Sequence, residues 1–137
     1  MAQNDHAHAL AITDNLYADL LSFGIRLLRP DVLYLKSRIL LARGRVDEAR
    51  VILTEARTEA EAIRSRRALW MILAALSDIE ARRGDAAEAR VLRQQACEIV
   101  AYIADHAPAD PSTSSGQSLR ESFLNLPEVR RVTDASD

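Results

Sequence analysis

Residues that could bind a metal ion or act as a nucleophile are few and scattered in this sequence. His6 and His8 are two positions apart, which places them on different faces of a helix, so they do not predict a shared metal ion. His106 lies alone at a predicted helix end, where an imidazolium ion would interact favourably with the helix dipole. Cys97 has no adjacent histidine to activate it, which favours a small core or boundary residue over a nucleophile.

The other candidates for chemistry are typical of structural positions. Ser114 and Ser115 fall in a segment without periodicity, which could not hold a catalytic triad in place. Each glycine is a single helix stop or linker residue and none belongs to a phosphate-binding loop: Gly24, Gly44, Gly84 and Gly116. Two arginine clusters are balanced by nearby glutamates and favour a solvated surface: Arg64, Arg66 and Arg67 beside Glu59 and Glu61, and Arg130 and Arg131 beside Glu128. We therefore predict no enzymatic activity, no cofactor, no metal and no nucleic-acid partner.

The composition predicts an all-α protein without a strong charge bias. The 137 residues fit one domain, and the 48% hydrophobic content with only 4% aromatic residues requires a core of aliphatic side chains and alanine, which favours helices. Eighteen basic and 20 acidic residues give a net charge of −2. The single cysteine fits a reducing compartment, no apolar run approaches the ~20 residues of a membrane span, and the N-terminal residues lack a signal-peptide pattern. We expect a cytoplasmic protein with no membrane partner.

The sequence contains an internal repeat with an offset of 40 residues, the difference between Gly84 and Gly44. Aligning residues 33–63 with residues 73–103 gives 11 identities in 31 positions. Self-similarity at a fixed period of this length indicates stacked supersecondary units.

Helical periodicity and glycine stops predict five helices within residues 1–106, which form the helical-repeat domain. Helix one spans about 7–23, after a frayed start at residues 1–6. Two repeat units, about 30–63 and 67–106, each contain two helices separated by Gly44 or Gly84. Asp85 and Glu88 are expected to form a capping box that opens helix five, and Trp70 is expected in the core.

The composition changes after residue 106. Residues 107–117 are rich in proline and serine and predict a flexible linker. Residues 118–132 predict a short capping helix that begins with a capping box of Ser118 and Glu121, and residues 133–137 are expected to be disordered. The apolar residues of this segment indicate that it folds back onto helix five and covers the open end of the repeats.

The two repeat units resemble tetratricopeptide repeats. The residues that carry the resemblance are Leu33, Ser37, Gly44, Asp47, Glu48, Ala49, Leu53 and Ala56 in the first unit, and Leu73, Leu76, Ser77, Gly84, Glu88, Ala89 and Ala96 in the second. The units depart from the family pattern because their period is longer than its usual length of about 34 residues, because leucines replace its large aromatics, and because Glu80 and Arg93 occupy normally apolar positions. Residues 30–132 are also similar to the C-terminal helical segments of large bacterial signalling and regulatory ATPases and cyclases.

The resemblance implies antiparallel helical hairpins stacked as a short right-handed solenoid, with five main helices and a short C-terminal helix. It implies a protein-interaction module or scaffold that binds a protein or peptide partner. The first helices of the two units would line a shallow peptide groove, with Asp31, Tyr34, Arg38, Met71, Asp78 and Arg82 at the matching positions.

Helix one has the position of the second helix of a preceding repeat whose first helix is missing. Because helices in a repeat array are covered on both sides, helix one is expected to expose an apolar face that forms a homodimer or captures another polypeptide. The residues assigned to this self-association face are Leu10, Leu16, Tyr17, Leu20 and Leu21. The alternative is that helix one packs wholly onto helices two and three.

Two other functional interpretations stay open at this point. One is a small helical ligand-binding or enzymatic bundle, which would need a cluster of polar residues pointing inward, and the periodic faces contain almost none. The other is an inactive remnant of a larger regulator.

Overall fold

The computed structural model describes residues 2–106 and 123–134, and every regular element in these ranges is a helix, which confirms the all-α prediction. The helices are α1 (Ala2–Ser22), α2 (Arg29–Ala42), α3 (Val46–Ala62), α4 (Arg66–Arg83), α5 (Ala86–Asp105) and α6 (Pro127–Asp134). The expectation that residues 2–6 are frayed is wrong, because α1 begins at Ala2. Asp5 lies in the first turn of α1, where a carboxylate interacts favourably with the helix dipole.

The first four helices end at a residue in the left-handed conformation. Gly24, Gly44 and Gly84 have φ values of 68°, 76° and 90°, as their predicted role as helix stops requires. Arg64 takes the same position after α3 with a φ of 56°, although a side chain there costs about 1 kcal/mol relative to glycine. In each case the next N–H donates to the carbonyl five residues back, as in a Schellman motif. Local backbone geometry therefore ends these helices.

Two helices start at side-chain caps. The Ser65 hydroxyl accepts a hydrogen bond from the Ala68 N–H at 3.3 Å, at the start of α4. The Asp85 carboxylate accepts one from the Glu88 N–H at 3.0 Å, at the start of α5. The Asp85 N–H donates to the Glu80 carbonyl at 2.9 Å, so the contact expected from Glu88 in a full capping box is replaced by the end of α4.

Two helical hairpins, α2–α3 and α4–α5, form the centre of the protein, and α4 also packs against α3. Ala49, Ala56 and Ala60 of α3 have no exposed surface, and neither does Ala96 of α5. Small residues at these positions allow the helices to approach closely, while Leu53 and the α4 side chains fill the space between them. Trp70 is only 6% exposed and belongs to this core, as predicted.

The outer helices pack onto this centre from two ends. α1 packs against α2, and α6 packs against α5 with Val129 and Val132 buried. The Cys97 thiol lies 3.4 Å from the Val132 carbonyl, so the C-terminal segment returns to α5 as expected. It does not cover the whole open end of the repeats, because Arg90 and Gln94 of α5 stay exposed. Thr133 and Asp134 continue α6, in contrast to the expected disordered tail. The predicted linker at residues 107–117, the Ser118 to Glu121 capping box and residues 135–137 lie outside the described residues.

Candidate functional site

Five of the six residues assigned to the peptide groove line one cleft. Tyr34 and Arg38 come from α2, and Met71, Asp78 and Arg82 come from α4. The cleft has a volume of about 270 Å³, and α6 forms its remaining wall with Pro127, Glu128, Arg131 and Val132. We call this site the inner cleft. The contribution of α6 was not predicted, because nothing in the local sequence of residues 127–132 indicates that they reach α2 and α4.

Asp31, the sixth assigned residue, has a different contact. Its carboxylate accepts two hydrogen bonds from the Arg67 guanidinium, at 2.8 Å and 3.0 Å. This bidentate pair joins the start of α2 to the start of α4. The hydrogen bonds to Asp31 are also the main cause of a raised pKa of Arg67. Asp31 therefore contributes to packing between the hairpins and does not line the inner cleft.

The inner cleft carries more unpaired positive than negative charge. Asp78 already accepts a hydrogen bond from Arg93 at 3.3 Å. Arg38, Arg82 and Arg131 form no ion pair with any residue in the described ranges. Burial raises the pKa of the Tyr34 hydroxyl above its ordinary value of 10.0, although the nearby guanidinium groups of Arg38 and Arg131 oppose this shift. The cleft therefore suits a partner that brings carboxylates.

The residues assigned to the self-association face separate into two groups. Leu20 is only 5% exposed, and Leu10 and Tyr17 are partly buried against the core. The Tyr17 hydroxyl donates to the Glu55 carboxylate at 3.1 Å, and burial together with that carboxylate raises the pKa of Tyr17. Leu16 and Leu21 are 44% and 47% exposed. These two are therefore the most exposed of the five.

Other exposed apolar residues, which were not predicted, extend this region. We call the whole set the exposed apolar surface, and it comprises Ile12, Leu16, Leu21, Phe23, Ile25, Leu27 and Leu28. Phe23 is 76% exposed, the highest fraction in this set. Ile25, Leu27 and Leu28 lie in the connection between α1 and α2, where no helical period reveals which side faces outward.

A second concave site, which was also not predicted, lies on the outer side of α4 and α5. It has a volume of about 830 Å³ and includes Arg90, Gln94 and Glu98 of α5 and Ser77 of α4. In the first hairpin the position equivalent to Arg90 is Arg50, which is in contact with Glu80 of the following helix α4. Arg50 therefore marks the side of the first hairpin on which α4 packs, and Arg90 marks the same side of the second hairpin. The second concave site lies on this side, where a further helix would pack.

Two of the residues first considered for chemistry, His106 and Arg66, have structural contacts. The His106 ring stacks on Tyr102 with ring centroids 3.9 Å apart, and the Arg66 guanidinium lies 4.0 Å from the centre of the same tyrosine ring. Within residues 2–106 and 123–134, no group of three or more histidine, cysteine, aspartate or glutamate side chains could hold a metal ion. No helix in the described ranges is long and apolar enough to cross a membrane.

Comparisons with models of protein families, with curated proteins and with solved structures found no match to this chain. The surfaces described above are therefore the basis on which a function can be proposed.

Proposed function

We propose that this chain is a non-catalytic protein-interaction module that self-associates through its exposed apolar surface. The observation that carries the proposal is the concentration of seven large apolar side chains between residues 12 and 28, each at least 43% exposed. Single exposed apolar residues are normal, but so many in one short part of the chain support an interface there. Covering it would stabilise a complex by removing apolar area from water.

Molar mass in solution, measured by light scattering over a concentration series, tests the proposal. The wild type is expected to self-associate, and Leu16→Glu and Phe23→Glu are expected to shift it to a folded monomer. Leu20 is unsuitable for this test because it is buried and its change would disturb folding. Val51→Glu is the matched control, since Val51 is 65% exposed but lies on α3, outside the exposed apolar surface.

A wild type that stays monomeric at every concentration would contradict self-association. So would an oligomer that persists unchanged in Leu16→Glu and Phe23→Glu. Circular dichroism of each variant shows whether a change in mass comes from loss of an interface or from unfolding.

The inner cleft supports a second candidate function, the binding of an acidic peptide. Five residues from two helices meet there, and three arginines lack an ion-pair partner among the described residues. A random peptide display library selected on the wild type should be enriched in acidic sequences, and Arg38→Glu/Arg82→Glu should remove that enrichment. Equal enrichment on both proteins would contradict this role for the cleft.

The arrangement that we propose for the whole chain is a short right-handed solenoid of tetratricopeptide-like hairpins, located in the cytoplasm. Two features support this arrangement of related hairpins. The two units repeat with an offset of 40 residues, and a glycine in the left-handed conformation lies between the two helices of each unit. If the chain neither self-associates nor selects a peptide, the interpretation as an inactive remnant of a larger regulator is favoured instead.

A further inference from the structure

The internal repeat extends one half-unit further toward the N terminus than the sequence identities show. Gly24 and Arg64 are 40 positions apart, and both end a helix in the left-handed conformation, with φ values of 68° and 56°. The same offset separates Gly44 from Gly84. α1 is therefore equivalent to α3, and each α1 residue can be compared with the α3 residue 40 positions later.

This equivalence identifies a side of α1 that is covered in the other helices. Leu16 corresponds to Ala56 in α3 and to Ala96 in α5; both alanines have no exposed surface, whereas Leu16 is 44% exposed. Ile12 is 53% exposed, but its counterpart in α5, Leu92, is only 3% exposed. We call this side the outer stripe of α1, and it comprises Ala9, Ile12, Leu16 and Asp19 of α1 and Phe23, which follows the helix.

In α3 and α5 this side is covered by the first helix of the same hairpin. The Ser77 hydroxyl of α4 donates to the Ala89 carbonyl of α5 at 2.7 Å, where the two helices approach closely. Ala9 is the α1 counterpart of Ala89 and keeps the small side chain that such an approach requires. In the described ranges Ile12, Leu16, Asp19 and Phe23 of the outer stripe are exposed and Ala9 is partly exposed, while α1 packs chiefly against α2.

Charge adds a second constraint on what could cover the outer stripe. In the first hairpin, the Arg29 guanidinium at the start of α2 lies 3.8 Å from the Glu59 carboxylate of α3. Asp19 is the α1 counterpart of Glu59, is exposed, and forms no ion pair with the described residues. An approaching helix with a basic residue in its first turn would complement Asp19.

We infer that the outer stripe of α1 binds an amphipathic helix from another polypeptide, placed as α2 is placed on α3. The bound helix runs antiparallel to α1, crosses it at Ala9 with a small residue, and brings a basic side chain in its first turn to Asp19. This inference rests on the proposed function in that Ile12, Leu16 and Phe23 belong to both surfaces. In self-association, the exposed apolar surfaces of two copies pair with each other. The bound helix would displace the second copy.

The probe is a peptide with the sequence of residues 28–44, which contains α2 with Arg29 and Ser37. This sequence is chosen because α2 covers the equivalent side of α3 in the folded chain. Labelled with fluorescein and titrated with the full chain, it should bind one to one by fluorescence anisotropy. Leu16→Glu should weaken binding at least about tenfold, because a leucine side chain loses its burial. Val51→Glu should leave binding unchanged. Unlabelled peptide should convert self-associated chain to monomer in light scattering.

The orientation is tested by exchanging charges. Asp19→Arg should weaken binding of the peptide by about threefold, as for a partly exposed ion pair, and the Arg29→Glu peptide should recover that loss. Absence of binding, binding that is insensitive to Leu16→Glu, or absence of recovery in the charge exchange would each overturn the inference.

The outcomes separate this inference from the proposed function. A wild type that self-associates through Leu16 but does not bind the peptide keeps the proposed function and overturns the inference. A monomeric wild type that binds the peptide with the expected charge exchange supports the inference and contradicts self-association.

Discussion

The two hairpins share many residues, but equivalent side chains make different contacts. Ser37 and Ser77 occupy the same position in the repeat, and both are fully buried. The Ser37 hydroxyl donates at 2.6 Å to the Tyr34 carbonyl in its own helix. The Ser77 hydroxyl donates at 2.7 Å to the Ala89 carbonyl in the facing helix. Only the second serine therefore joins two helices directly.

A buried position also differs in chemistry between the hairpins. Leu40 is 2% exposed in the first hairpin, and its counterpart in the second is Glu80, which is 5% exposed. The Glu80 carboxylate accepts a hydrogen bond from Arg50, which comes from the first hairpin, and this bond is the main cause of the raised pKa of Arg50. A carboxylate is tolerated in the second hairpin because the first supplies its partner.

The largest difference is expected at the position shared by Leu53 and Arg93. Leu53 has no exposed surface, so Leu53→Ala should lower the free energy of unfolding by about 3 kcal/mol through lost burial and a cavity. Arg93 is partly exposed and paired with Asp78, so Arg93→Ala should cost less than about 1 kcal/mol. Urea denaturation of both variants measures the difference, and equal losses would show that the two hairpins do not differ in packing at this position.

A smaller effect is expected when the contact between the hairpins is removed. Arg50→Met should lower the unfolding free energy by less than Leu53→Ala, because the buried Glu80 keeps only the more distant Arg83, at 3.7 Å. Adding Glu80→Leu should restore stability, since it gives the second hairpin the residue that Leu40 provides in the first. A double variant no more stable than Arg50→Met, by urea denaturation, would contradict a role for this pair.

The smallest effect is expected at the two serines. Ser77→Ala should cost about 1 kcal/mol, since it removes a buried hydrogen bond between two helices. Ser37→Ala should cost less than half as much, because its bond lies within one helix and alanine is the better helix former. Thermal unfolding followed by circular dichroism compares the two, and a larger loss for Ser37→Ala would reverse the interpretation.

The outer bounds of the two hairpins were predictable to within one residue and their inner helix ends from Gly44 and Gly84, because glycine stops and side-chain caps act through neighbouring residues. The start of α1 was not, since its first turn lacks a periodic apolar pattern. Five of the six groove residues were brought together correctly by the resemblance to tetratricopeptide repeats, which implies that the first helices of the two units line one groove. The sequence did not show that Asp31 lies outside the inner cleft, because its ion-pair partner Arg67 is 36 positions away in the chain.

The sequence by itself determined the helical class, most helix ends and the offset between the hairpins, because propensity, capping and left-handed glycine conformations are local properties of the chain. Only the tertiary structure decided which side of α1 is covered, where α6 lies and which arginine neutralises Glu80. These features depend on residues that are distant in sequence but adjacent in space. An apolar stripe looks the same in the sequence whether or not a neighbouring helix covers it.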